Sequence, residues 1–162
     1  MKVLVVGNGG REHAIIQSLL KNKEIDEIFA IAGNGGIAND ATIVNMDVKD
    51  VEKVAEWAEQ NKIDFAIVAP DDPLVLGAVD SLNKAGIKTF GPKADAAIIE
   101  GSKVFSKNLM KKYNELNIAT FSELILGLPG ETYTSFCEGV RDLIENGQHF
   151  AINIYPCELL PN

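Results

Sequence analysis

The chain has 162 residues, of which 46% are hydrophobic and 23% charged, and its formal net charge is −8. This length fits one domain or one domain with an appendage, and the composition is that of a soluble globular protein. The acidic balance argues against a nucleic-acid partner, and no apolar run reaches the roughly 20 residues that span a bilayer. The N-terminus enters an apolar run without the layout of a signal peptide, which predicts a cytoplasmic protein.

The apolar and polar segments alternate in a way that predicts an α/β fold. Strands are predicted over residues 2–6, 27–31, 42–44, 64–68 and 87–90, and helices over residues 11–22, 49–61 and 74–85. Pro73 lies in the first turn of the third helix, and Gly86 ends that helix. Alternation at this spacing predicts right-handed crossovers and a Rossmann-like open parallel sheet with helices on both faces.

The turn after the first strand predicts an anion site. Gly7, Gly9 and Gly10 lie between the strand and the first helix, and Arg11 follows them. A helix N-terminus presents unpaired backbone N–H groups and a positive dipole end, which suit a phosphate or a carboxylate. Arg11 is expected to add a mobile cation. The alternative is a glycine turn that only closes a tight connection between strand and helix.

A dinucleotide site is disfavoured by two departures from its fingerprint. Glu12 stands where the third glycine belongs, and the second strand runs into residues 32–36 without the acid that would hold a ribose hydroxyl. NAD(P) or flavin binding therefore stays a weaker alternative. His13 and His149 are interpreted as structural residues in preference to general acids or bases.

Three loops are expected to meet where the parallel strands end. They span residues 7–10, 33–36 and 69–73. Ligands of open parallel sheets bind beyond the carboxyl ends of the strands, so these loops form the candidate site.

The residues of these loops carry a family resemblance. Residues 3–14, Val-Leu-Val-Val-Gly-Asn-Gly-Gly-Arg-Glu-His-Ala, resemble the opening of glycinamide ribonucleotide synthetase, also called phosphoribosylamine–glycine ligase, of purine biosynthesis. The similarity continues through residues 33–34, 70–75, 86–88, 90–92, 96–97, 100–103 and 105–107. It implies that residues 1–113 are the Rossmann-like N-terminal domain that precedes the ATP-grasp module of that ligase.

The resemblance implies roles for individual residues. Gly7, Gly9, Gly10 and Arg11 match the glycine loop expected to face a ribose phosphate. Asp71 stands where the family usually has Glu, and its carboxylate is expected to hold ribose hydroxyls or an amine. Lys103 matches a position associated with ATP; the alternative is a solvated lysine at a helix start. No catalytic and no metal-binding residue is predicted here, because ATP and Mg²⁺ belong to the module that follows in the ligase.

Residues 114–162 depart from the ligase pattern. They predict a strand at 120–126, a turn at 127–130, a helix at 131–146 capped by Gly147, and a strand at 150–155. Residues 124–132 and 155–162 resemble a βαβ fragment of a radical S-adenosylmethionine enzyme barrel. The cluster motif of such enzymes is absent, since Cys137 and Cys157 are the two cysteines and stand far apart. Both are expected to be free thiols, with Cys137 in a helix.

The two resemblances together predict a chimera joined near residues 111–117. A designed or recombinant chimera is favoured, and a natural fusion or truncation is the alternative. The last two strands are expected to extend the ligase-derived sheet and to cover one of its edges. Three functions are open: a ligase-derived domain that binds phosphate or a sugar phosphate but is catalytically inactive alone, a structural chimera without a ligand, and a dinucleotide-binding domain.

Overall fold

The structure of the chain is a computed structural model that describes residues 1–148 and 150–158. It divides into two compact units, with the division between Gly101 and Ser102. The interpretation of His149 and of residues 159–162 lies outside the described residues.

The first unit has a parallel sheet of five strands in the order β3-β2-β1-β4-β5. The strands are β1 (Lys2–Gly7), β2 (Glu27–Ala32), β3 (Thr42–Val44), β4 (Phe65–Val68) and β5 (Lys88–Phe90). The helices are α1 (Gly10–Leu19), α2 (Val51–Gln60), α3 (Asp71–Val75), α4 (Ala78–Lys84) and α5 (Ala94–Gly101), and a short 3-10 turn spans Ile37–Asn39. This strand order confirms the predicted Rossmann-like α/β fold.

Side chains from β1 point to both faces of the sheet and are buried on both. Leu4 and Val6 belong to a hydrophobic cluster that includes Val54 of α2 and Leu82 of α4. Val5 belongs to a second cluster, which includes Ile16 of α1 and residues of β2. The continuous apolar run of β1 is therefore explained by helices that cover both faces, as expected for a parallel sheet.

The helix predicted over residues 74–85 is two helices, α3 and α4. Gly77 stands between them with a φ of +87°, in the left-handed region that ends one helix before the next begins. Pro73 is buried in the first turn of α3, as predicted. Helix α5 was absent from the sequence prediction.

The second unit contains α6 (Lys103–Glu115), β6 (Phe121–Leu126), α7 (Tyr133–Glu145) and β7 (Ala151–Pro156). Cys137 lies in α7, and both cysteines are free thiols. Gly86 and Gly147 follow α4 and α7 with φ values of +82° and +106°, which agrees with the predicted helix ends.

The expected extension of the large sheet is wrong. Strands β6 and β7 form a two-stranded parallel sheet of their own, in continuous register from Phe121 opposite Ala151 to Leu126 opposite Pro156. The ladder of six residue pairs satisfies one edge of each of these strands. Strand β5, with three residues, offers only a short edge for further pairing.

The length and the apolar character of a helix determine whether it can cross a membrane. Within residues 1–148 and 150–158, no helix is both long enough and apolar enough to cross a bilayer.

Candidate functional site

The glycine loop joins β1 to α1 at the carboxyl edge of the large sheet. Gly7 ends the strand with a φ of +133°, and Gly9 is the residue before the first helical turn. The N–H groups of the first turn have no acceptor within the helix, so those of Gly10 and Arg11 point beyond its end. The predicted arrangement of strand, glycine turn and helix N-terminus is present.

A carboxylate of the chain itself already occupies part of this loop. Glu12 Oε2 accepts a hydrogen bond from the Gly9 N–H at 2.6 Å, and the residue is only 3% exposed. The sequence interpretation considered Glu12 only as a departure from the dinucleotide fingerprint and missed this role. A glutamate three residues after the residue that caps a helix was the available signal.

Arg11 is anchored at two points. Its Nε donates to Glu12 Oε1 at 3.1 Å, and its terminal NH2 group donates to the carbonyl oxygen of Ala69 at 3.1 Å. The side chain is otherwise mostly exposed to solvent. The cation expected to be mobile is thus held between the glycine loop and the segment after β4.

Asn34 connects the second loop to the first. Its side-chain amide donates to the carbonyl oxygen of Asn8 at 2.6 Å, and its Oδ1 accepts from the N–H groups of Gly36 and Ile37. The N–H of Gly33 donates to the carbonyl oxygen of Gly7 at 3.3 Å. The loops of residues 7–10 and 33–36 therefore meet, as the sequence predicted.

The third loop completes an open cavity of about 290 Å³ at the ends of β1, β2 and β4. It is lined by Gly7, Asn8, Ala32, Val48, Pro70, Asp71, Asp72 and Pro73. Asp71 is the exposed first residue of α3 and lines the same cavity as Gly7.

Lys49 is a second residue that sequence analysis missed. Its ammonium lies 2.6 Å from the carboxylate of Asp72 at the rim of the cavity. The hydrogen bond to Asp72 raises the pKa of Lys49 above its ordinary value. No local pattern marks this pair, because the two residues are far apart in sequence and meet only through the fold.

Gly9, Gly10, Arg11 and His13 are not among the residues that line this cavity. Lys103 is the exposed first residue of α6 and belongs to the second unit. His13 Nε2 lies 2.7 Å from Asp40 Oδ2, which also accepts from the side-chain amide of Gln17 at 2.6 Å. The hydrogen bond with His13 lowers the pKa of Asp40. Because this contact joins α1 to the segment after the 3-10 turn, it supports the structural interpretation of His13.

These observations first define a class of protein. A parallel sheet with this strand order, and a glycine turn at its carboxyl edge beside an open cavity, is typical of Rossmann-like ligand-binding domains. The sequence profile of the family described as "Phosphoribosylglycinamide synthetase, N domain" matches residues 1–100. The chain belongs to this family.

Individual relatives agree with the family match. The chain is 52% identical over 113 residues to phosphoribosylamine–glycine ligase of Caldanaerobacter subterraneus subsp. tengcongensis, an alignment covering 70% of this chain and 27% of that protein. It is 41% identical over 148 residues to the ligase of Listeria monocytogenes, covering 91% and 33%. The chain thus spans about a quarter to a third of the length of these curated relatives.

A solved structure supports the fold. The crystal structure of phosphoribosylglycinamide synthetase from Anaerococcus prevotii superposes with a TM-score of 0.56 and 23% sequence identity. The superposition covers 70% of this chain and 29% of that one. The chain therefore shares its fold with the corresponding part of a phosphoribosylglycinamide synthetase.

Proposed function

We propose that the first unit binds a sugar phosphate, with the phosphate at Gly7–Arg11 and the ribose hydroxyls or an amine at Asp71. The observation that carries this proposal is the open cavity at the carboxyl edge of the sheet, which is lined by Gly7 of the glycine loop and by Asp71, with Arg11 anchored to the neighbouring Ala69 carbonyl oxygen. Membership of the ligase family supports a ribose phosphate as the class of ligand. Inorganic phosphate shares the same recognition chemistry.

The donors available to a phosphate suggest weak binding. The Gly9 N–H is already bonded to Glu12, which leaves the first-turn N–H groups of Gly10 and Arg11 and the outer face of the Arg11 guanidinium. A helix dipole contributes roughly 0.3–1 kcal/mol and a charge-assisted hydrogen bond roughly 1.5–3 kcal/mol. Once the cost of ordering the ligand is included, we expect affinity in the millimolar range.

An NMR titration of the full chain with ribose 5-phosphate tests this proposal. Amide signals between Val6 and Ala14 should shift, and inorganic phosphate should shift a subset of them. Gly9→Val should abolish the shifts, because a β-carbon added at Gly9 would lie only 2.8 Å from Glu12 Oε2 and the larger side chain would disturb the loop. Arg11→Ala should weaken binding. If no amide in this segment shifts at tens of millimolar ligand, the loop is only a turn.

We further propose that the chain has no ligase activity by itself. ATP and Mg²⁺ are implied for the longer ligases, and the residues described here do not fit them. Lys103 is a single exposed lysine, and no group of three or more His, Cys, Asp or Glu in residues 1–148 and 150–158 lies so as to hold a metal ion. A coupled assay of ADP release with phosphoribosylamine and glycine should give background rates, and turnover above background would contradict the proposal.

For residues 114–162 we propose the origin predicted from sequence, a βαβ fragment like that of a radical S-adenosylmethionine enzyme, joined to the ligase-derived part as a chimera. The separate β6–β7 sheet supports this origin. The Listeria alignment counts against it, since coverage of 91% of the chain must include part of this region. Independent parts should unfold in two transitions, one followed by Trp57 fluorescence and one by amide signals of β6 and β7; a single shared transition would contradict independent parts.

A structural chimera without a ligand is the second candidate. The observation that favours it is Glu12, whose carboxylate already satisfies the loop donor that a phosphate would use. Dinucleotide binding is the weaker candidate, because Glu12 fills the position of the third glycine. The ribose 5-phosphate titration separates the first two candidates, and titration with NAD(P) or a flavin tests the third.

A further inference from the structure

The buried carboxylate of Glu12 is the least expected feature of the glycine loop. It is 3% exposed, although it stands in the first turn of a helix that follows the glycine loop. A carboxylate is rarely buried this deeply unless it is paired and hydrogen-bonded. Here its two oxygens have separate partners, the Gly9 N–H at 2.6 Å and the Arg11 Nε at 3.1 Å.

The Glu12 side chain packs where β-carbons at Gly7 and Gly9 would lie. A β-carbon at Gly7 would lie 2.6 Å from Glu12 Cγ, and one at Gly9 would lie 2.8 Å from Glu12 Oε2. At Gly10 a β-carbon would meet no atom within 4 Å. Gly9 therefore makes room for the Glu12 carboxylate, and Gly7 makes room for both Glu12 and Pro70, independently of any ligand.

Arg11 links Glu12 to the loop of residues 69–73. Its Nε is bonded to Glu12 and its terminal NH2 group to the Ala69 carbonyl oxygen, so the planar guanidinium is fixed at two edges. Fixing the guanidinium in advance removes part of the ordering cost that a ligand would otherwise meet.

We propose that Glu12 is a positioning residue: its carboxylate holds the Gly9 N–H and the Arg11 guanidinium in place before any anion arrives. For ligand affinity this inference rests on the proposed sugar-phosphate function, whereas the arrangement of Arg11 and Gly9 does not depend on it. This role of Glu12 is the opposite of the one expected from its charge alone. A negative charge beside a phosphate site repels the ligand, yet this one supports the site by ordering its cation.

The sign of the mutational effect separates positioning from charge. If Glu12 acted only as a nearby charge, Glu12→Gln would strengthen phosphate binding and Glu12→Asp would leave it unchanged. Positioning predicts that both variants weaken it. Gln has one acceptor oxygen for two donors, and Asp is one methylene too short to reach both. We expect about tenfold weaker binding in Glu12→Gln, the effect of losing one charge-assisted hydrogen bond.

The experiment uses the full chain and NMR titration with inorganic phosphate and ribose 5-phosphate. The matched control is Glu59→Gln, which removes one negative charge from an exposed position on α2 and should change neither affinity nor the loop signals. The ligand-free proteins are compared through the Arg11 Nε–H and Gly9 N–H signals. In the unsubstituted chain, called the parent chain below, Arg11 Nε–H should exchange slowly with water. This protection should disappear in Glu12→Gln and fall in Glu12→Asp.

The outcomes distinguish this inference from the proposed function. If the parent chain binds no phosphate but its Arg11 Nε–H is protected and depends on Glu12, the proposed function fails and the positioning role stands. If Arg11 Nε–H is unprotected in the parent chain, or if Glu12→Gln binds phosphate more tightly, the positioning role is overturned. If Trp57 fluorescence shows that Glu12→Gln does not fold, two measurements test the positioning role in its place. They are the phosphate affinity of Glu12→Asp and the exchange rate of Arg11 Nε–H in the unsubstituted chain.

Discussion

The two compact units bury their side chains by different means. In the first unit, β1 is covered on both faces, and Leu4, Val5 and Val6 are completely buried. In the described part of the second unit, the one buried side chain is Gln148, which is polar. The first unit therefore has a buried apolar core, whereas the buried side chain of the second unit is held by hydrogen bonds.

The network of Gln148 joins the beginnings of β6 and β7. Its side-chain amide donates to the carbonyl oxygens of Thr120 and Ala151, each at 2.8 Å, and its Oε1 accepts from the Ser122 hydroxyl at 3.0 Å. Large apolar side chains of the same sheet stay open to solvent, including Phe121 at 67%. A two-stranded sheet is marginally stable in water, so we expect the second unit to be much less stable than the first.

The largest effect expected from this comparison is at Leu4. Leu4→Ala should lower the free energy of unfolding of the first unit by about 2–5 kcal/mol, since it leaves a cavity in a packed core. Urea denaturation followed by Trp57 fluorescence measures this, because Trp57 packs edge-on against Phe29 in the first unit. The matched control is Leu124→Ala, at a half-buried position of β6, which should leave the Trp57 transition unchanged; equal shifts would contradict the difference between the units.

Gln148 should be the corresponding weak point of the second unit. Gln148→Leu removes the side-chain donor to the carbonyl oxygens of Thr120 and Ala151, and each lost hydrogen bond costs about 0.5–1.5 kcal/mol. We expect faster amide hydrogen exchange throughout β6 and β7, with no change in the Trp57 transition. Asn153→Leu, a substitution of the same kind at an exposed position of β7, is the control and should have little effect. Unchanged exchange in Gln148→Leu would show that the network is dispensable.

The same contrast explains which features the sequence could predict. The strands of the first unit follow from apolar runs whose burial on both faces is a local pattern, and the three loops follow from the rule that parallel strands end at one edge. The role of Glu12 was missed because only half of the capping pattern is present: Glu12 stands three residues after the capping residue, but Gly9 has no side chain to complete the pattern. The Lys49–Asp72 pair and the separate pairing of β6 with β7 depend on contacts between distant residues, which no local pattern encodes.

Glycine-to-alanine substitutions should have opposite signs in the two units. Gly7→Ala should destabilise the first unit by more than about 1 kcal/mol, because the residue has a φ of +133° and its new β-carbon would clash with Glu12. Gly139→Ala should stabilise α7 by about 0.5–1 kcal/mol, since a β-carbon there meets no atom within 4 Å and alanine favours helices. Trp57 fluorescence reports the first change and amide exchange in α7 the second. A stabilising Gly7→Ala would contradict the close approach of Glu12 to the loop.

The smallest expected effect is a pH dependence confined to the first unit. The hydrogen bond from His13 lowers the pKa of Asp40, so the folded state favours the ionised carboxylate. The stabilisation is then present above the ordinary Asp pKa, about 4, and is lost as the pH falls through the lower folded-state pKa. The pH dependence of the Trp57 transition should become shallower below pH about 4 in Asp40→Asn, which cannot ionise. Asp95→Asn, at an exposed position in α5, controls for the loss of one charge. If both variants and the parent chain lose stability in parallel as acid is added, the contact between His13 and Asp40 makes no contribution of its own, and the acid sensitivity of the first unit comes from its overall charge.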